Sequence, residues 1–224
     1  MSSDWLTFDC YGTLVDWRSG MLADLRPVAG DRAAELLAEY HRHEPVVQQE
    51  QPGATYRDVL AEALRRAAAA TGIRLPPDGD QVLGSGLTTW PRFPETDDVL
   101  LELARTGFKI GILSNVDREL IEVTIRGFPV PVDLLVTSAD VGSYKPAAGH
   151  FTTFAQRSDV EPGRWVHVAC SWFHDVEPAI RHGAPAVYVE REPEGRDTHS
   201  AAAVIEDLTP LPDIARALFT DSPQ

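Results

Sequence analysis

From about residue 95 onward, short apolar runs alternate with longer segments whose apolar residues recur at helical spacing. The runs cover 109–114, 134–138, 165–171 and 186–190, and the helical segments between and around them cover 96–106, 118–126, 151–157 and 176–182. A brief apolar run bounded by turn-formers reads as a buried strand, and a three-to-four residue period reads as a helix. Strands that alternate with helices form a parallel sheet covered on both faces, because each crossover must be buried against it. With the further run at 5–8, this sets an α/β core built from 1–15 and 95–224, closed by a segment at 205–219. The charged, Gly/Pro-bearing stretch 191–200 reads as a loop, and 220–224 as a frayed end.

The text between 16 and 94 is different in kind. Residues 32–43 are rich in Ala, Leu and Glu and stop before Pro45. Residues 56–70 place Val59, Leu60, Ala63, Leu64 and Ala67 on one helical face, with Gly72 as a stop signal. Pro76-Pro77-Asp78-Gly79 reads as a loop, and Trp90-Pro91-Arg92-Phe93-Pro94 as the hinge that returns the chain to the core. The expectation is an all-helical insertion over 16–94. It opens at the end of the first strand, where open α/β sheets bind ligands, so it is placed to roof a pocket. Trp90 and Phe93 are expected to pack the insertion on the core.

Chemistry-bearing residues gather at the ends of these strands. Asp9 follows the first strand and precedes a turn marked by Gly12. Such a carboxylate is held rigidly yet open to a ligand, and the N–H groups of Cys10 and Tyr11 face the same pocket, where they can hold an anion. Asp9 is thus a candidate nucleophile that forms a covalent ester or acyl phosphate. The 109–114 run ends in Ser114-Asn115. Lys145 stands in Ser143-Tyr144-Lys145-Pro146, and the 165–171 run ends at Cys170-Ser171 with Asp175 four residues later.

Those four stretches, in that order, resemble the motifs of the haloacid dehalogenase superfamily, and Asp9-Cys10-Tyr11-Gly12-Thr13-Leu14 resembles its L-2-haloacid dehalogenase branch. The resemblance implies a Rossmann-like core with an inserted helical cap. It implies Asp9 as nucleophile, with Thr13 hydrogen-bonded near it. Ser114 and Asn115, with the N–H groups of Cys10 and Tyr11, then hold the substrate carboxylate. Lys145 balances the charge, and Asp175 activates or orients water. Superfamily phosphatases carry a second acid where this chain has Tyr11, a phenol with a pKa of roughly 10. They also carry a magnesium-binding acid where it has Ser171, a weak ligand for a hard cation. Both substitutions point to metal-free displacement at C2 of a small 2-halo carboxylic acid through an Asp9 ester, with no cofactor. A magnesium-dependent phosphatase, or a silent binding protein of the same fold, are the rival readings.

The chain also departs from the branch. Its members use a cap arginine to accept the halide. Arg42, in the stretch Leu36 to Glu44, is the natural candidate, with Arg57 and Arg32 as alternatives. Trp172 stands where an asparagine lies near the hydrolytic water, so it is placed among the substrate-contacting residues. Phe151 apparently replaces a tyrosine. His174 either tunes the water-activating group or faces solvent. His150 is expected to face outward, and His41 and His43, two apart on a helix, are not expected to share a metal.

Composition narrows the partners. With 34 acidic and 20 basic residues the formal charge is −14, which disfavours nucleic acid and anionic membranes. The expected partner is a small anionic carboxylate, and the resemblance suggests a homodimer. No apolar stretch approaches the roughly 18 residues of a membrane span. Met1-Ser2-Ser3-Asp4 shows no signal-peptide pattern. Two cysteines make no disulfide framework, so a cytoplasmic location is the default. Cys10 and Cys170 end neighbouring strands and are expected as thiols at the mouth of the site, inert unless they are accessible enough to be alkylated.

Overall fold

Every strand pairing in the sheet is parallel, as expected of strands with so few polar residues. The computed structural model describes residues 4–161, 163–191 and 195–220. Its six strands are β1 (Trp5–Phe8), β2 (Lys109–Ser114), β3 (Leu134–Thr137), β4 (Trp165–Ala169), β5 (Ala186–Val189) and β6 (Ala203–Ile205). They lie in the order β3-β2-β1-β4-β5-β6. Side chains alternate between faces. Leu6, Phe8, Ile110, Ile112, Val166, Val168, Val187 and Val189 enter one core, while Leu113, Val136, Trp165, Ala169, Ala186 and Tyr188 enter the other.

The helices are α1 (Trp17–Ala29), α2 (Ala33–Glu50), α3 (Tyr56–Thr71), α4 (Val82–Gly86), α5 (Thr96–Arg105), α6 (Arg118–Arg126), α7 (Ser138–Val141), α8 (Gly149–Ser158), α9 (Glu177–Arg181) and α10 (Leu211–Thr220). The first five fall between β1 and β2, and the first four of them make up the helical layer over 16–94. On α3, Val59, Leu60, Ala63, Leu64 and Ala67 are buried. Thr55 caps it by accepting the Asp58 N–H, and Gly72 ends it in the left-handed conformation (φ +67°). Two contacts tie this helical layer to the core. The Asp117 carboxylate accepts the N–H groups of Tyr56 (2.9 Å) and Arg57 (3.0 Å), and the Tyr144 hydroxyl donates to the Ala54 carbonyl (2.8 Å). A carboxylate at a helix N-terminus is favoured by the unpaired N–H groups there.

Two boundaries differ from the expectation. α2 runs through Pro45 to Glu50 instead of stopping before it. An internal proline costs a helix about 3 kcal/mol, but Val47 beyond it is fully buried with Leu36 and Tyr40, and that packing carries the helix on. The closing segment predicted over 205–219 begins on the last residue of a strand, β6, and runs on into α10. With three residues, of which Ile205 alone is buried, β6 is too short to give a period. The expected frayed end lies outside the described residues apart from Thr220, which ends α10. Residues 192–194 of the expected 191–200 loop, and Met1 to Ser3, also lie outside them. No described helix is long and apolar enough to cross a membrane.

β1 sits mid-sheet, paired with β2 on one side and β4 on the other (Phe8 opposite Ile112 and Val168). Connections run outward from it in both directions, so the residue after Phe8 lies at the topological switch point, the crevice where such sheets hold ligands. That residue is Asp9.

Candidate active site

Beyond Phe8 the chain turns sharply through Gly12, whose φ of +102° excludes most side chains. A Cβ there would stand 2.6 Å from Cys170 Sγ, so glycine lets the turn press against the end of β4. Thr13 fastens the two ends together. Its hydroxyl donates to Asp9 Oδ2 (3.1 Å) and accepts the Cys170 N–H (3.0 Å).

Lys145 is the centre of the floor. Its ammonium, 2% exposed, donates to Asp9 Oδ1 (2.8 Å), Asp175 Oδ1 (2.6 Å) and the Leu113 carbonyl (2.8 Å). An ammonium has three protons, and all three are used. Asn115 holds this lysine in place through its backbone, accepting the Lys145 N–H (2.7 Å) and donating to its carbonyl (3.3 Å). Behind Asp175 lies a buried chain that the sequence did not reveal. His167 Nε2 is 3.2 Å from Asp175 Oδ1 and its Nδ1 is 2.8 Å from Thr7 Oγ1, which also accepts the Trp165 indole N–H (2.7 Å).

This arrangement separates the two carboxyls. Burial favours the neutral form of each, but Lys145 and His167 overcome it at Asp175 and hold that carboxyl far below its ordinary range. At Asp9 burial prevails over Lys145, aided by the nearby Asp175 charge, and the carboxyl is pushed up. Lys145 lies between two anions, which outweigh its burial and raise its pKa.

Above this floor is a cavity of about 300 Å³, lined from the core by Asp9, Tyr11, Ser114, Asn115, Lys145, Cys170, Ser171, His174 and Asp175. Trp17, Met21, His41, Glu44, Gln48, Tyr56 and Trp90 line it from the helical side. Ser114 Oγ accepts the Val116 N–H (3.2 Å), leaving its own proton to donate. The N–H groups of Cys10 and Tyr11 have no intramolecular acceptor among the described residues. The Tyr11 hydroxyl is bonded to Thr124 Oγ1 (2.8 Å), and burial pushes its pKa far up, so the phenol has no proton-transfer role near neutrality.

Several expected site residues are elsewhere. Arg42, 75% exposed, pairs with Glu39 on the outer face of α2. Arg57 donates to the Gly84 carbonyl, and Arg32 pairs with Glu35 in solvent. Among the described residues, no arginine lines the cavity. Glu44 is turned toward it with His41 and Gln48 of the same helix, since two positions along a helix from Arg42 rotate the side chain through about 200°. Trp172 has also left the site. The segment Trp172–Val176 forms a π-helical turn, and the indole packs edge-on against Tyr188 in the core. Ser171 and His174 occupy the cavity wall instead.

His150, expected outside, is fully buried with Nε2 3.0 Å from the Ser114 carbonyl. It sits in the first turn of α8, where it docks on the end of β2, and burial lowers its pKa to about 4. Phe151 belongs to the core beside His167. The Cys10 thiol is buried in the core, whereas Cys170 lines the cavity, its pKa pushed up to about 12 by burial. Trp90 packs as expected, against Gly20 and Tyr11, and it also lines the cavity.

A magnesium ion would find both floor acids already paired with Lys145. No group of three or more His, Cys, Asp or Glu side chains placed to hold a metal ion occurs among the described residues. Ser171 offers only a hydroxyl, and it is engaged with His174 (Oγ to Nδ1, 3.0 Å).

Comparison with known proteins places this geometry. A family model described as haloacid dehalogenase-like hydrolase matches residues 4–183. Two curated relatives are each 30% identical over 54% of the chain. They are haloacid dehalogenase-like hydrolase domain-containing protein 3 of Mus musculus and a glyceraldehyde 3-phosphate phosphatase of Methanothermobacter thermautotrophicus. The matches span 50% and 58% of those relatives' own lengths. Among solved structures, the L-2-haloacid dehalogenase RSc1362 superposes with a TM-score of 0.84 at 23% identity, covering 96% of this chain and 100% of that one. The Xanthobacter autotrophicus L-2-haloacid dehalogenase with chloropropionic acid covalently bound gives 0.84 at 18%, covering 96% and 98%. At these identities the likeness is one of fold.

Proposed function

The chain belongs to the haloacid dehalogenase-like hydrolase family, and within it we propose a hydrolase that displaces a leaving group from C2 of a small carboxylate through an Asp9 ester. The observation that carries this reading is the floor: a buried nucleophilic carboxylate, a fully bonded ammonium beside it, and a phenol where a proton-transferring acid would be needed for phosphoester chemistry.

In the first step an Asp9 carboxylate oxygen forms a bond to C2 while the bond to the leaving group breaks, and the group departs with its electron pair as an anion. Ser114 and the N–H groups of Cys10 and Tyr11 hold the substrate carboxylate with neutral donors, since Lys145 has no proton to spare. In the second step water attacks the ester carbonyl of Asp9. The C–O bond within Asp9 breaks, releasing the 2-hydroxy acid and restoring the carboxylate. Asp175, held strongly anionic, is a weak base, and its part is to fix Lys145. His174 lines the cavity and burial lowers its pKa, so it is neutral near pH 7. When its Nδ1–H donates to Ser171, its Nε2 is free to take the proton from water. The site is read as metal-independent, because both floor acids are already paired with the Lys145 ammonium and Ser171 offers only a hydroxyl engaged with His174.

The phosphatase relative keeps a second reading alive: phosphoryl transfer to Asp9 with magnesium. One assay separates them, with L- and D-2-chloropropionate as probes, in the presence and absence of EDTA. Chloride release from the L-form that survives EDTA and is lost in Asp9→Asn supports displacement at carbon. Release of phosphate from phosphorylated metabolites, abolished by EDTA, with no chloride release, overturns it.

A further inference from the structure

Among the described residues, the charges that face the cavity are three carboxylates, Asp9, Glu44 and Asp175, and one ammonium, Lys145. Lys145 is committed to the two floor acids. Glu44 is therefore the acid of the roof, and among the described residues it makes no ion pair. Its partners are neutral, chiefly the Tyr56 hydroxyl (2.7 Å) and the Gln48 amide (3.2 Å), both donating to Oε1. Oε2 has no such partner among the described residues. Burial pushes this carboxyl above the ordinary glutamate range, and the bonds from Tyr56 and Gln48, with a lesser contribution from Tyr40, pull it back only in part. The two histidines in the wall bring no compensating charge. Burial lowers the pKa of His41 to about 4 and that of His174 below its ordinary value.

Around this acid the wall is aromatic. Trp17, Tyr56, Trp90 and Tyr11 all line the same cavity, with Tyr11 and Trp90 edge-to-face at 5.9 Å. An aromatic face attracts a cation through its quadrupole, and most strongly where water is excluded. A carboxylate without a cationic partner, set among such rings, is chemically suited to an ammonium group. It is equally unsuited to an anion, which would meet the Glu44 charge where, among the described residues, no cation but Lys145 lines the cavity.

We propose that the natural substrate carries an ammonium group, seated against the Glu44 carboxylate and the aromatic wall, while its reacting carbon faces Asp9. This rests on the reading of the cavity as the active site, and it makes the substrate of the proposed hydrolase a small zwitterion in place of a simple haloacid. Glu44 is then the specificity-determining residue of the cavity.

The test uses binding, so that it is independent of turnover. Calorimetry with the full chain would compare choline with 3,3-dimethylbutan-1-ol, which has the same shape without the charge. Both ligands are measured on wild type, Glu44→Gln and Asp9→Asn. The expected result is choline binding at least about 10-fold tighter than the neutral isostere. That preference is lost in Glu44→Gln and retained in Asp9→Asn. The substituted amide keeps an oxygen for Tyr56 and Gln48, and thermal unfolding checks that the Glu44→Gln variant folds. If it does not, the wild-type preference alone decides. Equal binding of the two ligands, no binding of either, or a choline preference unchanged in Glu44→Gln each overturns the proposal. Loss of chloride release with Glu44-dependent choline binding intact would overturn the proposed reaction and leave this inference standing.

Discussion

The floor of the cavity carries buried acids and the roof a half-buried one, yet each is neutralised differently. On the floor, Asp9 and Asp175 share one ammonium that reaches both from a third segment of the chain, and His167 adds a further partner to Asp175. On the roof, among the described residues, Glu44 has only neutral donors, chiefly Tyr56 and Gln48. The floor is a completed electrostatic circuit in which each charge fixes another, which suits a site where atoms must be positioned for chemistry. The roof is incomplete in the same terms, and an incomplete site is one that a ligand finishes. Reaction type is thus read from the floor and substrate class from the roof.

The comparison can be broken most forcefully at Asp9. Asp9→Asn is expected to lower kcat by about 10⁴-fold or more, as nucleophile removal does elsewhere, without loss of stability. The sign follows from its raised pKa. Ionised Asp9 costs the folded state stability near neutrality, and that cost is relieved as pH falls through its folded pKa. Thermal unfolding at pH 7 should place the variant at or above wild type. Because Asp9 attacks only as an anion, kcat/KM should fall on the acid side at a pH above the 3.8 of an ordinary aspartate.

Lys145→Met should show the reverse, a large loss of stability. It leaves two buried carboxylates facing each other without their cation, at a cost of about 3–5 kcal/mol in urea unfolding. Asp175→Asn should cost less, about 1–3 kcal/mol, because Lys145 keeps Asp9 and the Leu113 carbonyl. The depressed pKa of Asp175 gives the opposite linkage to that of Asp9. Its contribution is present above the unfolded aspartate value and is lost only as pH falls through its low folded pKa. A rise in stability for Asp175→Asn would dissolve the distinction between the two floor acids.

His174→Gln sharpens the account of the second step. If His174 takes the proton from water, the variant should slow ester hydrolysis by about 10²-fold, and the Asp9 ester should accumulate and be visible as added mass on the intact chain. The smallest effect belongs to Arg42→Ala. This side chain pairs with Glu39 in solvent, so stability should stay within about 0.5 kcal/mol and kcat/KM should not change. A clear loss in kcat/KM would return a halide-binding role to that arginine.

The same comparison explains how much could be read from the sequence. Asp9, Thr13, Ser114 and Asp175 lie at strand ends or follow them closely, and Lys145 follows β3 after one short helix, all in short motifs; a parallel sheet brings strand ends to one edge whatever the intervening text. The floor was therefore legible, apart from His167. That residue hides inside an apolar strand, where the alternation of faces that aims it at Thr7 and Asp175 becomes visible only once β4 is paired with β1. The roof was not legible. Helical spacing marked α2 and α3, but it did not say which residue of Arg42, His43 and Glu44 would face the cavity, and the stop expected at Pro45 cut the helix short of Gln48. Trp172 failed for a related reason. The π-helical turn adds a residue to the local repeat and rotates the indole into the core, bringing His174 to the wall.

The central claim is that Asp9 forms an ester which water opens at the aspartate carbonyl. The most direct measurement is a single turnover of L-2-chloropropionate in H₂¹⁸O with enzyme in excess, followed by mass analysis of the peptide containing Asp9 and of the lactate released. The account predicts one ¹⁸O in the Asp9 carboxylate and none in the lactate. Label in the lactate with Asp9 unlabelled would mean that water attacks the substrate carbon directly, and the ester mechanism would be wrong.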